Sequence, residues 1–179
     1  MSESRNSADL VTINTIVVAP VFFDASIDVN LDSGSRQSLT DEVFQAFTSE
    51  VGTEVLRSPL SQVDKAKPLS AAGQLDADAV LITAMHGYQE RRGSQVGVSQ
   101  PASVDFTMRL LRKTDGKELW NAVYHFRDQS LSENLLKLPD RLEGGDGVGW
   151  KKAREILQGG LRGAARELAD ARTAQFIRR

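Results

Sequence analysis

Apolar and polar positions follow two different periods along this chain, and the switches between them mark out the elements. Residues 11–24, VTINTIVVAPVFFD, form a β-branched run that is apolar through its middle and interrupted by Pro20. Such a run predicts a first strand, covered on both faces, that ends or bulges at the proline. Residues 25–38 predict a loop, after which Val43, Phe44, Phe47 and Val51 recur at helical spacing. The predicted helix has Thr40 as its N-cap and Gly52 as its stop. TEVLRS (53–58) predicts a short second strand, and LSQVDKAKPLSAAGQLD a short helix on each side of Pro68, because proline fits a first turn but not a helix interior.

ADAVLITAMHGYQER (77–91) predicts a long strand. In ASVDFTMRLLR, Val104, Phe106, Met108 and Leu110 share one face and Asp105, Thr107 and Arg109 the other, a strict period of two. KTDG (113–116) is a hairpin turn in which Asp115-Gly116 would supply positive φ. The returning strand puts Trp120, Ala122, Tyr124 and Phe126 together. SLSENLLKL opens a helix whose Ser130 and Glu133 fit a capping box, and EGGDGVG separates it from a last helix. In that helix Trp150, Ala153, Ile156, Leu157, Leu161, Ala164, Ala165 and Leu168 make an apolar stripe. Trp120 and Trp150 read as core anchors.

The order predicts an α/β fold: a single-domain sandwich in which a mixed sheet of about five strands, with a C-terminal hairpin, packs against three or four helices. Residues 1–10 are expected to be a disordered lead, 11–171 the domain and 172–179 a basic tail. The chain has 179 residues, 40% hydrophobic and 26% charged, enough to bury a core without a staple. Its net charge of −2 gives no overall pull on nucleic acid or anionic membrane. The final segment, 150–179, is locally basic; a solvated helical face is the commoner reason for such a bias, and attraction of an anionic partner the rival one. Glycines 159, 160 and 163 would allow a neighbour to approach closely, or else kink that helix.

Candidate chemistry is sparse. No cysteine is present, so thiolate sites and disulfides are excluded. His86, Tyr88 and Glu90 would share a strand face by the period-two rule, a row resembling a metal or acid/base set, but a third ligand of matching spacing is missing and no metal is expected. GGDGVGWKK lacks the preceding strand of a dinucleotide fingerprint and the lysine directly after its last glycine that a phosphate loop needs. No GxSxG elbow occurs and no carboxylates are paired in sequence. No catalytic site, cofactor or metal is therefore assigned. The start, MSESRNSADL, lacks the apolar stretch of a signal peptide, and no run reaches the ~20 apolar residues of a membrane span.

The segment 77–161 resembles a group of uncharacterised bacterial envelope lipoproteins. The resemblance rests on ADAVLI, the tyrosine and ER followed by GS, PASV, the DG..LW hairpin, QSLSENLL and the tryptophan opening the last helix. Those proteins are similar in fold to the curli-secretion lipoprotein, the lipoprotein activator of penicillin-binding proteins and the amino-terminal domain of the Tol-system propeller protein. The resemblance implies a non-enzymatic domain working by protein contact or homo-oligomeric assembly. It implies the periplasm, at the outer membrane if a signal and lipid anchor were removed, and the cytoplasm otherwise. Tyr88, Glu90, Arg91, Gly93 and Pro101 match its pattern. Residues 88–103 are thus expected to form a projecting hairpin loop that either offers a contact, with Tyr88 and Arg91 as anchors, or only solubilises a sheet edge through Glu90 and Arg91. Glu133 and Asn134 are candidates for the same surface, although Glu133 already has a local use as a cap. The alternative is a ligand-binding or enzymatic domain with a pocket near 88–103 and 144–150.

Overall fold

A computed structural model describes residues 2–6, 8–24, 33–90, 92–93, 98–127 and 152–177. Seven strands make the main sheet: β1 (Ser2–Asn6), β2 (Thr15–Val18), β3 (Phe22–Phe23), β4 (Glu54–Arg57), β5 (Ala79–Gln89), β8 (Ser103–Arg112) and β9 (Glu118–Arg127). Their order is β1-β9-β8-β5-β2-β4, with β3 pairing β5 beyond the end of β2. Two more, β6 (Arg92–Gly93) and β7 (Val98–Gln100), form a separate ribbon. Strand β2 runs parallel to both β4 and β5, whereas β5, β8, β9 and β1 are successively antiparallel. The expected mixed α/β sandwich in one domain is the fold observed.

Pro20 explains the split between β2 and β3. It has no N–H to give a ladder, and the chain resumes pairing two residues later, with Phe22 opposite Ala84. The helix α1 (Ser33–Glu50) starts earlier than the periodicity predicts. Thr40 is therefore not its N-cap. It lies inside the helix, 6% exposed, and its hydroxyl accepts the N–H of Val21 (3.1 Å) while facing the Arg36 carbonyl. The extra turns Ser33–Ser38 have weak helical propensity, which tertiary contacts such as Arg36 over the Phe23 ring (4.9 Å) override. Gly52 does end the helix, with φ at +64°.

Further departures have local causes. Residues expected as a lead form β1 against β9, and Ala8–Thr12 is a 3-10 helix rather than strand. Only the segment C-terminal to Lys67 is helical around Pro68, as a 3-10 turn Pro68–Ala72 with the proline at its start. In the β8–β9 turn only Gly116 has positive φ (+70°). The loop is longer than a two-residue turn and is closed by Arg112 N–H donating to Lys117 O (2.8 Å), so Asp115 needs no unusual backbone and instead accepts from the Lys117 N–H and the Arg112 side chain. The predicted helix at 130–138 and the glycine-rich break lie outside the described residues.

One face of the sheet is buried under α1 and the last helix, α2 (Ala153–Ile177). The expected stripes meet there: Val104, Phe106, Met108 and Leu110 from β8, Trp120 and Ala122 from β9, and Ile156, Leu157, Leu161 and Leu168 from α2 are all buried. Burial of each such side chain stabilises by roughly 1.5–3 kcal/mol. The helices run parallel in one register: Ser38 meets Arg154, Glu42 meets Gln158 and Glu50 meets Arg166, each 116 residues apart. Helix α2 continues past position 172, and Arg172 donates to the Ile13 carbonyl (2.6 Å). Arg154, Arg166 and Arg172 thus have partners within the fold, which accounts for part of the basic bias as helix attachment. Among the described residues the opposite face is covered only in part, where Ala71 and Ala72 of the 3-10 turn pack with Val17, Val80, Ile82 and Leu111.

The three glycines of α2 differ in kind. A Cβ on Gly160 would stand 2.8 Å from the Tyr124 ring, which itself stacks on Phe106 (4.9 Å between centroids), whereas Gly159 and Gly163 have open space. Gly160→Ala is therefore expected to lower the unfolding free energy by about 1–3 kcal/mol through overpacking. Gly159→Ala should raise it by roughly 0.5–1 kcal/mol through helix propensity. Urea denaturation of the two variants checks the contrast.

Acid dependence follows from the hairpin. Asp9 accepts from Lys117 (2.8 Å) and Arg112 (2.6 Å), and these bonds, that to Lys117 foremost, hold its carboxyl below the ordinary aspartate range. A carboxylate depressed in the folded state adds stability that is present above the unfolded value of about 3.9 and disappears as pH falls through the folded value. Asp9→Asn should flatten the loss of stability below about pH 4, measured as the shift in urea midpoint between pH 7 and pH 3.

Candidate interaction site

Strands β5 and β8 are antiparallel neighbours, and the chain between them forms the β6–β7 ribbon, in which Arg92 pairs with Gln100 and Gly93 with Val98. The predicted hairpin exists as a ribbon apart from the main sheet. At its base Gln89 Nε2 donates to the Pro101 carbonyl (3.2 Å), so Pro101 serves as an acceptor where the chain re-enters the sheet. Arg91, Glu133 and Asn134 lie outside the described residues.

Tyr88 and Glu90 do structural work. Gly87 follows a bulge at Met85/Gly87 in β5, and a bulge reverses the face on which later side chains fall. His86 stays on the exposed face of the even-numbered residues before it, while Tyr88 consequently packs against the main core. The row of His86, Tyr88 and Glu90 expected from strict alternation does not form. Instead the Tyr88 hydroxyl donates to Glu90 Oε1 (3.0 Å), and Glu90 Oε2 accepts the N–H of Ala153 (3.3 Å), the first residue of α2. A carboxylate here satisfies an orphan donor and meets the positive end of the helix dipole. Burial, reinforced by the Glu90 bond, pushes the Tyr88 hydroxyl well above the ordinary tyrosine range, so it remains a donor at any physiological pH. Next to this clamp, Arg154 pairs with the nearly buried Glu42 (2.5 Å).

His86 has a different setting. Its Nδ1 meets Asp24 Oδ2 (2.7 Å) and its Nε2 meets Thr107 Oγ1 (2.8 Å). The His86 bond, ahead of Lys65, holds the Asp24 carboxyl below its usual range. Carboxylate, imidazole and hydroxyl in this order can orient a proton on the hydroxyl. The chain lies on an open sheet face, beside a second pair, His125 and Asp105 (3.3 Å). Among the described residues no group of three or more His, Cys, Asp or Glu could hold a metal ion.

A cleft of about 430 Å³ opens beyond the carboxyl ends of the parallel strands β2 and β4. Pro20–Phe23, the first half of α1 (Arg36, Gln37, Thr40) and residues 61–65 form its walls. None of these residues belongs to the predicted pocket region 88–103, and 144–150 lies outside the described residues. Neither Arg36 nor Lys65 stood out in the sequence, because nothing local marks an irregular lysine or the first turns of a weak helix. Only the parallel topology locates the crevice.

No protein-family model matches the chain, and no curated protein matches it. Solved structures do. PelC from Paraburkholderia phytofirmans, solved as a dodecamer, superposes with a TM-score of 0.63 at 14% identity, covering 94% of this chain and 96% of that one. Lipoprotein GNA1162 from Neisseria meningitidis matches at a TM-score of 0.46 and 18% identity, over 73% and 95% of the two chains. The chain thus has the fold of the PelC subunit. The fold expected from the resemblance to envelope lipoproteins is the one found.

The clamp at Glu90 can be separated from any contact role. Glu90→Ala is expected to cost about 1 kcal/mol of stability, read by urea denaturation, with the largest rise in amide exchange in the first turn of α2. An unchanged stability would remove the capping role.

Proposed function

We propose that this chain is a non-enzymatic accessory or assembly domain of the bacterial envelope, acting in the periplasm or at the outer membrane through protein contacts. The observation that carries the reading is the fold match over 94% of the chain to PelC, whose subunits form a dodecamer. The motifs of residues 77–161 that resemble envelope lipoproteins support it independently. The β6–β7 ribbon is the contact element in this proposal, with Arg91 and Gly93 as its surface candidates. Tyr88 and Glu90 sit behind it and fix its base through the clamp on α2. Arginine suits such a position because a planar fork of donors can pair with carboxylates on a partner.

Light scattering of the purified chain over a concentration series tests the proposal. A discrete oligomer is expected, and Arg91→Glu should weaken it by about 10-fold or more in Kd, the effect of a charged hot spot, with the thermal midpoint unchanged. A monomer at all concentrations would remove self-assembly. An oligomer indifferent to Arg91→Glu would move the contact away from the ribbon.

A further inference from the structure

We propose that His86 is a proton-operated switch that ties the open face of the sheet to the wall of the cleft, through Thr107 on one side and the Asp24–Lys65 pair on the other. The device is separate from the ribbon and does not depend on the assembly reading. Its parts come from distant places in the chain: His86 from β5, Thr107 from β8, Asp24 from the residue after β3, and Lys65 from the 61–65 wall of the cleft. Both ring nitrogens of His86 have oxygen partners at hydrogen-bonding distance, Asp24 Oδ2 at 2.7 Å from Nδ1 and Thr107 Oγ1 at 2.8 Å from Nε2.

The carboxylate fixes where the hydrogen of the neutral ring must lie. An ionised carboxylate only accepts. Bonding to His86 foremost holds Asp24 below the ordinary aspartate range, so it stays ionised throughout the window in which histidine side chains change charge, roughly pH 5–8. Nδ1 therefore carries a hydrogen in both charge states. In the neutral ring Nε2 is an acceptor, and the Thr107 hydroxyl donates to it. When the ring takes up a proton, Nε2 becomes a donor and the hydroxyl turns to accept. A hydroxyl does either, so neither state leaves a ring nitrogen without a partner, and the proton enters without breaking a bond of the fold. What changes is the free side of half-buried Thr107: it offers lone pairs to the open face when His86 is neutral and its O–H when His86 is charged.

Charge carries the signal to the other side. Asp24 Oδ1 faces Lys65 Nζ at 3.5 Å, and the same ammonium donates to the Phe23 carbonyl (2.6 Å). With His86 neutral, one carboxylate is matched to one ammonium. With His86 protonated, two cations share that carboxylate, and the hold of Asp24 on Lys65 weakens. Lys65 and Phe23 both line the cleft, so proton uptake loosens its wall at one point. The neighbouring charges have other attachments. On β8 and β9, Asp105 pairs with His125 (3.3 Å) and Arg109 with Glu118 (2.5 Å), with Arg127 exposed two residues beyond His125. Near Lys65, Asp64 accepts the Ala66 N–H (2.9 Å) and Arg36 lies over the Phe23 ring. Among the described residues, Asp24 is thus the group through which a proton on His86 acts on Lys65.

The test is an NMR titration of the whole chain carrying His125→Gln. His125 is exposed, and the substitution leaves His86 as the one histidine. Long-range ¹H–¹⁵N spectra of the ring, recorded across roughly pH 5–8, are expected to show neutral His86 with its hydrogen on Nδ1, the tautomer less common in free histidine. The Lys65 Nζ and Thr107 methyl resonances should shift along the same transition, while the amides of α1 and α2 stay in place. Asp24→Asn removes the charge and keeps an oxygen to accept from Nδ1. Asp24 is half exposed, so this variant is expected to fold, and its Lys65 resonance should no longer move with pH. Neutral His86 with its hydrogen on Nε2 would overturn the switch, as would the absence of a His86 transition in that window or unfolding of the chain along with it. A Lys65 resonance that ignores the transition, or that still follows it in Asp24→Asn, would overturn the link to the cleft wall.

Discussion

The depth at which α2 settles on the sheet is set at one point, where Gly160 meets the Tyr124 ring. Everything packed on that face depends on it. With no side chain there, the helix comes close enough for Leu157 and Leu161 to be buried, and for its polar edge to reach α1 through Arg154, Gln158 and Arg166. Side-chain packing falls off steeply with distance, so a gap of even half an ångström would forfeit much of the contact energy. The electrostatic bonds at the helix edge are individually small at exposed positions. They act here as register marks, keeping two parallel helices from sliding while the apolar stripe supplies the stability.

Much of this was legible in the sequence, and the reasons for the exceptions are physical. The β8 and β9 faces could be read from alternation because each strand buries one face only. The α2 stripe could be read because its period is long and uninterrupted. The start of α1 could not, since Ser33–Ser38 is weak helix by propensity and is held by Phe23 and Val21, partners distant in sequence. Strand β1 was invisible for the same reason: its residues are polar, and its place follows from the free edge of β9. Tyr88 and Glu90 stand out in the sequence as part of a motif. Their use as a helix clamp depends on Ala153, 63 residues on, and no spacing rule links the two.

A motif that stands out in a sequence can thus serve the fold. Glu90 and Tyr88 hold the first turn of α2 from the base of the ribbon. The cleft also lies beyond the carboxyl ends of the parallel strands, on the β2–β4 side, walled by α1 and the 61–65 segment. It shares no residue with the ribbon. Fold alone decides neither role, since one architecture serves many purposes.

The bulge at Met85/Gly87 places two demands on a single strand. Upstream of it, even-numbered residues of β5 face the 3-10 turn, and downstream the parity reverses so that Tyr88 enters the core. The extra residue accommodated there is His86, which holds Asp24 and Thr107 from the side. Removing His86 would restore regular pairing with Tyr88 still opposite Val104 on the core side, but would take away the imidazole that holds Asp24 and Thr107. Adding one elsewhere in β5 would carry Val80 and Ile82 to the wrong layer. Insertions elsewhere in the strand are therefore costly for a reason unrelated to composition: its residues are counted odd and even, and the count changes partway along.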